Sequence, residues 1–409
     1  MPALDNSLER VREIDDPGND SRLPASIPFG ILLAASSWFV CRVIVSLTWA
    51  PARNPFSINT TPWFQWDSGN YLSIASHGIT FGRCGGPGFP ESSIERWLNV
   101  RWCGTAGWLP GYSWLVSALH LLGFSLPLAG LLLSWVAMAA AMFLIWFGWA
   151  RDLPPIRSFL LLILFGLFPG AVYSFAIFPL SIALLCIMGS VFAATRERFF
   201  VAALFMVFGG LCYPSAWFAA AGLAIGLVLV AIPFGRSTMV RRGLWGVAGL
   251  ASLPILGLLD WSTVGTALAY FKSQSNYNSG APGMYFFRLL FTTKTRQQQA
   301  IGRFYGEVLA FQALLAAVIT GYAACSTSLA WRRGQRAPLQ IYPAVVGASV
   351  AMGLVVLGNA AAWNRSIVLA APCIVCLRKT PMPWLVGVIA VVGVTTLLIS
   401  RPFFLGLPS

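Results

Sequence analysis

The sequence predicts an all-α polytopic membrane protein, and three observations predict it. The 409-residue chain is 57% hydrophobic and only 10% charged, whereas a soluble domain carries about 25% charged residues. Apolar runs long enough to cross a bilayer recur along most of the length. No region shows the strand alternation of a membrane barrel. A soluble chain of this length would suit two domains; here it is expected to form one bundle of about eleven transmembrane helices, each of roughly 20 residues.

The elements follow in order. Residues 1–26 are polar, mixed in charge and without the basic-then-apolar layout of a cleavable signal, and so read as a cytoplasmic tail. The single transmembrane domain is 27–409. Its expected spans are 27–50, 126–150, 157–174, 177–195, 199–214, 216–234, 243–264, 306–330, 340–359, 365–377 and 384–400, with the pair around Tyr213–Pro214 open to being one kinked unit. No internal repeat of the kind found in many transporters is evident.

Basic residues set the orientation. The formal net charge is +14, and most cations sit in short loops: Arg151 and Arg157; Arg196 and Arg198; Arg236, Arg241 and Arg242; Arg332, Arg333 and Arg336; Arg378 and Lys379. In this layout all five clusters share the side of the N-terminal tail, which places the N-terminus in the cytoplasm. The same pattern accounts for the charge without nucleic acid, which is not an expected partner. A full crossing at 109–123 would move every later cluster to the wrong side, so LPGYSWLVSALHLLG reads as an interfacial helix. Two long segments then lie on the outer side, 51–125 and 265–305. Long non-spanning segments in a compact protein are usually functional.

The first of them contains FQWDSGNYLSIASHGI, Phe64 to Ile79. Asp67 sits there among aromatics. One reading is a helix cap; the other is a functional carboxylate at the membrane face, suited to a general base. The second segment carries Lys272, Arg288, Lys294, Arg296 and Arg303 with no acid before Glu307. Orientation does not explain outer cations. Interleaved with Tyr and Phe, they suit a lipid phosphate, or else they snorkel to bilayer phosphates. Arg365 lies at the outer end of a span and can hold a phosphate bidentately. Arg42 lies inside the first span, where it pairs structurally with Asp67 or Asp260 or else snorkels to the interface, the pairing being preferred.

His77 and His120 lack any metal-ligand spacing and read as scaffolding. Cys84 and Cys103 share one outer loop, a candidate disulfide if that side is oxidising. Cys373 and Cys376 form C-x-x-C within an apolar run, a weak metal or redox signal. No nucleotide-phosphate loop is present.

With these residues in hand, Trp66-Asp67-Ser68-Gly69-Asn70-Tyr71, followed by Ile74-Ala75 and His77-Gly78, resembles the W-D-S/G-x-x-Y-x-x-I-A-x-x-G-Y signature of the PIG-V-like mannosyltransferases. Trp108 to Gly123 looks like the family's aromatic-F-P-L-Y-P-L-L segment. Val264 to Pro282 is similar to its G-D-P-x-A-F-x-x-A-Q-x-x-W segment, and Asn364 to Leu377 to its R-Y-x-L-x-x-F-P segment. The chain departs from the pattern at Leu180, Thr266 and Ser366, where the family has Glu, Asp and Tyr.

The resemblance implies a GT-C-like bundle with interfacial helices in a long first outer loop. It implies an inverting glycosyltransferase that takes a sugar, mannose for preference, from a polyprenyl-phosphate donor. The acceptor is a glycolipid, a glycan or a protein. In that reading Asp67 is the general base, and Arg365, Arg288, Lys272, Lys294 and Arg296 hold the donor phosphate. Trp66, Tyr71, Trp108, Tyr112 and Gln274 line the substrate, while Arg42, His77 and Asp260 are structural. No cofactor is required beyond the donor, since a lipid monophosphate leaves without a second carboxylate acting as acid. A divalent metal bridging Asp67 and the phosphate remains an alternative. The competing class is a transporter or flippase for an anionic lipid-linked sugar.

Overall fold

Helices of apolar composition dominate the computed structural model, which describes residues 26–48, 54, 57–89, 101–276, 303–334, 337–357 and 365–405. Side chains of 303–307, 309–310 and 356–357 are outside that description. So are Arg288, Lys294 and Arg296, together with the tail before Ser26.

The elements are α1 Ile27–Ser46, a 3-10 turn Thr61–Trp63, α2 Ser68–His77, β1 Gly82–Arg83 paired antiparallel with β2 Trp102–Cys103, and α3 Pro110–Leu121. Then come α4 Leu126–Ile145, prolonged by a wider turn Trp146–Ala150, α5 Pro155–Gly166, α6 Ala171–Phe175, α7 Leu180–Thr195 and α8 Phe199–Cys212. They are followed by α9 Ser215–Ala231, α10 Arg236–Ala248, α11 Ser252–Val264 and α12 Ala269–Ser275. The last are α13 Arg303–Arg332, α14 Pro338–Leu357, a 3-10 rod Ile367–Lys379, and α15 Met382–Phe404.

Among the described residues, 7 helices are long and apolar enough to cross a membrane, and α5, α7 and α8 are shorter apolar helices. The chain is therefore an all-α, multi-pass membrane protein. Two expected spans differ in form, and the two around Tyr213–Pro214 are separate helices, not one kinked unit. The span 157–174 is broken into α5 and α6, because Gly170 takes the left-handed conformation, with φ 87°, that side-chain-bearing residues avoid. Tyr213–Pro214 is a true break: Tyr213 is extended, with φ −151° and ψ 134°, as a residue before proline prefers.

The span 365–377 is a 3-10 rod of 13 residues around Pro372. At about 2.0 Å per residue it reaches roughly 26 Å, more than the same residues would as an α-helix. Its side chains from Ile367 to Val375 are buried, packed among α14, α13, α5 and α7.

The basic clusters meet at one end of the bundle. Arg157 donates to the carbonyls of Arg378 (3.1 Å) and Thr380 (2.9 Å), and Asp152 pairs with Arg378. Glu197 pairs with Arg242 at 2.8 Å, which also lies beside Tyr342. Trp149 Nε1 donates to the Leu339 carbonyl at 2.8 Å. From this end α8 runs its 14 residues, about 21 Å at 1.5 Å per residue, to Tyr213. The 3-10 rod runs the same way to Arg365. These two residues thus sit at the far end from the clusters.

Candidate active site

The far end is built upward from Arg42. Its residue surface is fully buried, and the pairing expected with Asp67 or Asp260 does not form. Its guanidinium instead lies 3.8 Å from the ring centroid of Trp63 and 4.6 Å from that of Trp135, and Nη1 donates to Ser46 Oγ at 3.2 Å. Two indole faces supply the electron density that a carboxylate would have supplied. Arg42 Nε and Nη2 have no hydrogen-bond partner.

Trp63, so held, packs edge-on against Phe404, centroids 5.0 Å apart. Its carbonyl accepts the Ile177 N–H at 3.1 Å. The turn that follows is tight. Ser68 Oγ donates to the Gln65 carbonyl at 2.7 Å and accepts its N–H at 3.2 Å. Trp66 has φ 47°, a conformation that costs a non-glycine residue about 1–3 kcal/mol. Its ring rests near Tyr173 (6.4 Å) and Phe403 (6.5 Å). The strained residue directly precedes Asp67.

Asp67 stands at the N-cap position of α2, yet its side chain makes no capping hydrogen bond. The carboxylate turns away from the helix and pairs with Arg365, 298 residues later in the chain. The two side chains retain 22% and 19% of their surface, so the pair is reachable and not sealed into the core. The structure thus joins the base and the phosphate cation expected from the sequence, an association the sequence did not indicate.

Around the pair stand tyrosines from four elements. Tyr213, Tyr173 and Tyr71 all lie within electrostatic range of Arg365, and the Tyr213 hydroxyl stands close to it. Tyr213 also meets Ser366 Oγ at 2.9 Å. Tyr270 of α12 lies near Tyr71 and Tyr213. Burial pushes the Tyr71 phenol well above its ordinary value, with Tyr213 and Asp67 adding to the push. Tyr71 is therefore a neutral hydroxyl near neutral pH, a hydrogen-bonding group and not a base.

The other predicted residues fall into two groups. Tyr71 and Tyr112 pack edge to face, centroids 5.7 Å apart. Tyr112 is fully buried, with its hydroxyl on the Gly130 carbonyl at 2.8 Å. Ser113 Oγ donates to the Tyr71 carbonyl at 2.8 Å, tying α3 to α2 directly below Asp67. His77 is exposed at the end of α2, its Nδ1 beside Ser76 Oγ.

The second group docks α12 on the β1–β2 hairpin. Cys84 and Cys103 form a disulfide that closes the hairpin. Gly104, with φ 103°, lets this loop approach the Thr80 carbonyl where a Cβ would stand only 2.4 Å away. Asn276 accepts from the backbone N–H groups of Arg101 (3.1 Å) and Trp102 (3.4 Å) and donates to the Trp102 carbonyl (2.7 Å). Gln274 donates to the carbonyl of Gly107, whose neighbour Trp108 turns back to Thr105 at 3.0 Å. Lys272 Nζ lies 5.4 Å over Trp102 and 3.4 Å from Thr266 Oγ1. It is engaged there and does not contact the Asp67–Arg365 pair. Asp260 is buried and accepts the Tyr270 N–H at 2.9 Å, which fixes the start of α12 and aims Tyr270 at the cluster.

Tyr173, Tyr213, Tyr270 and Ser366 were missed from the sequence. Only Tyr213, polar and directly before a helix-breaking proline, carried a local signal. Among the described residues no three His, Cys, Asp or Glu side chains gather to hold a metal. No protein-family model matches the chain, and no curated protein matches it significantly.

Proposed function

We propose that the protein is a membrane glycosyltransferase moving a sugar, mannose for preference, from a polyprenyl-phosphate donor to a glycolipid or glycan hydroxyl. The observation that carries this reading is the Asp67 carboxylate, which is released from its helix cap and paired with Arg365 in a half-open setting ringed by aromatics. A single carboxylate beside a guanidinium suits displacement at an anomeric carbon with a phosphate leaving group. Asp67 takes the proton of the acceptor hydroxyl. That oxygen bonds to the anomeric carbon from the face opposite the phosphate. The bond from the anomeric carbon to the phosphate oxygen breaks, its electron pair leaves on the lipid phosphate, and Arg365 stabilises the new charge. The configuration inverts.

Three further features support the reading. Among the described residues the pair lies at the end opposite the basic clusters, which by the orientation rule supports an outer-face site and a cytoplasmic N-terminus. An apolar groove of about 600 Å³ between α13 and α15 is lined by Phe311, Val391, Val394 and Leu398. It lies on the same helix as Phe403, which flanks Trp66, and would take the prenyl chain. The resemblance of the Trp66 to Gly78 stretch to the PIG-V-like mannosyltransferases points to the same chemistry, and the GT-C-like fold with about eleven crossings belongs to this proposal.

The test is incubation of the purified protein with labelled polyprenyl-phosphate-mannose and candidate glycolipid acceptors, followed by assignment of the product's anomeric configuration. An inverted glycoside supports the proposal. A retained configuration sinks the single-base mechanism. Headgroup movement across proteoliposomes without any glycoside would favour the transporter reading instead.

A further inference from the structure

Arg365 has two claims on its guanidinium. In the structure Nη1 is given to the Asp67 carboxylate. Its Nε is buried and has no hydrogen-bond partner. The groups around it are tyrosine hydroxyls and Ser366, none of them cationic, and among the described residues Arg365 is the cation paired with Asp67. Nη1 holds Asp67 Oδ2 and so turns the carboxylate toward Arg365. A guanidinium has five donors in a fixed fork and binds phosphate through two of them at once.

Resting on the reading of Asp67 as base and Arg365 as phosphate cation, we propose that Arg365 is an exchangeable lock. It is ion-paired to Asp67 before the donor binds. It passes to the phosphate of an incoming lipid monophosphate or its sugar ester, and only then frees Asp67 for the acceptor. The unpartnered Nε becomes a second donor to the phosphate once Nη1 leaves the carboxylate. Donor binding thereby releases the Asp67 carboxylate to turn toward the acceptor. The spent lipid phosphate, more highly charged than the sugar ester, holds Arg365 until it departs.

The lock has a measurable consequence. Phosphate must compete with Asp67, so the apparent affinity of the wild type is reduced by the fraction of unpaired Arg365. Binding of a short-chain polyprenyl phosphate to the full-length protein in detergent is titrated by intrinsic tryptophan fluorescence. Asp67→Asn is expected to tighten binding about fivefold, the size of a partly exposed ion pair, and Arg365→Gln to weaken it by tenfold or more. Asp67→Ala repeats the measurement should the Asn variant not fold.

Unchanged or weaker binding by the Asp67 variants, with Arg365→Gln still defective, overturns the lock and leaves the phosphate role of Arg365 standing. Equal binding by wild type and all variants overturns that role as well. Inorganic phosphate is titrated in parallel. Tightening by Asp67→Asn in both series supports exchange at the headgroup. Tightening confined to the lipid overturns it, because the gain would then come from the chain.

Discussion

Arg42 and Arg365 are two arginines set in apolar surroundings, and they are housed in opposite ways. Arg42 is fully buried and sandwiched between Trp63 and Trp135, with no carboxylate on it. Arg365 keeps part of its surface and holds Asp67. The first arrangement has no opening and nothing to exchange, so it acts as a prop under the strained turn that presents Asp67. The second is accessible, and its partner is an anion that another anion can replace. Burial and partner together separate a structural cation from the one proposed to bind phosphate, which residue type and depth in the sequence could not do.

The contrast breaks most readily at Asp67. Asp67→Asn should lower the rate of sugar transfer by about 10³, within the range of a lost general base, while the protein unfolds at a nearly unchanged temperature in detergent. A comparable loss of stability would instead make the pair structural. Next in size is Arg365→Gln, for which initial rates should fall by about 10². Arg365→Lys should recover only part of this, because an ammonium cannot reproduce the fork.

Arg42→Met keeps the volume between the two indoles. It should leave transfer per folded molecule within about twofold and the unfolding temperature nearly unchanged, since replacing a buried charge by an apolar group of similar size is often near neutral. Arg42→Ala should cost about 2–4 kcal/mol because the prop is removed and a hole remains. Loss of transfer by Arg42→Met as deep as that of Arg365→Gln would erase the distinction. The smallest effect on transfer is expected from Cys84→Ser with Cys103→Ser. Closing a loop of this size is worth about 3 kcal/mol, felt locally. Limited proteolysis should show faster cutting in the hairpin, with the Asp67 end little changed.

Much of this was legible in the sequence. The helical membrane class followed from composition, and the five basic clusters were recognisable as one end because each lay between apolar runs. Asp67 and Arg365 both stood out as ionisable groups at span ends. Their contact was not visible, since 298 residues separate them and no local periodicity reports a pairing of that kind. Arg42 was assigned a carboxylate partner for a sound reason, the cost of a buried charge. The answer lay in Trp63 and Trp135, whose rings read as ordinary apolar residues.

The cap reading of Asp67 failed for a related reason. A nearby guanidinium competes better for the carboxylate than the backbone N–H groups of α2 do. The break at Gly170 depended on a backbone angle, and the 3-10 winding after Arg365 had only Pro372 to announce it. Tyr173, Tyr213 and Tyr270 converge from three separate elements, which only the folded chain brings together.

The central claim is that Arg365 and Asp67 form one lipid-phosphate-sugar site. A structure of the full-length protein with a bound polyprenyl-phosphate sugar tests it most directly. The account predicts phosphate oxygens against the Arg365 guanidinium, the sugar beside Trp66, and the Asp67 carboxylate released and facing the anomeric carbon. A donor bound elsewhere, with Arg365 still paired to Asp67, would contradict it.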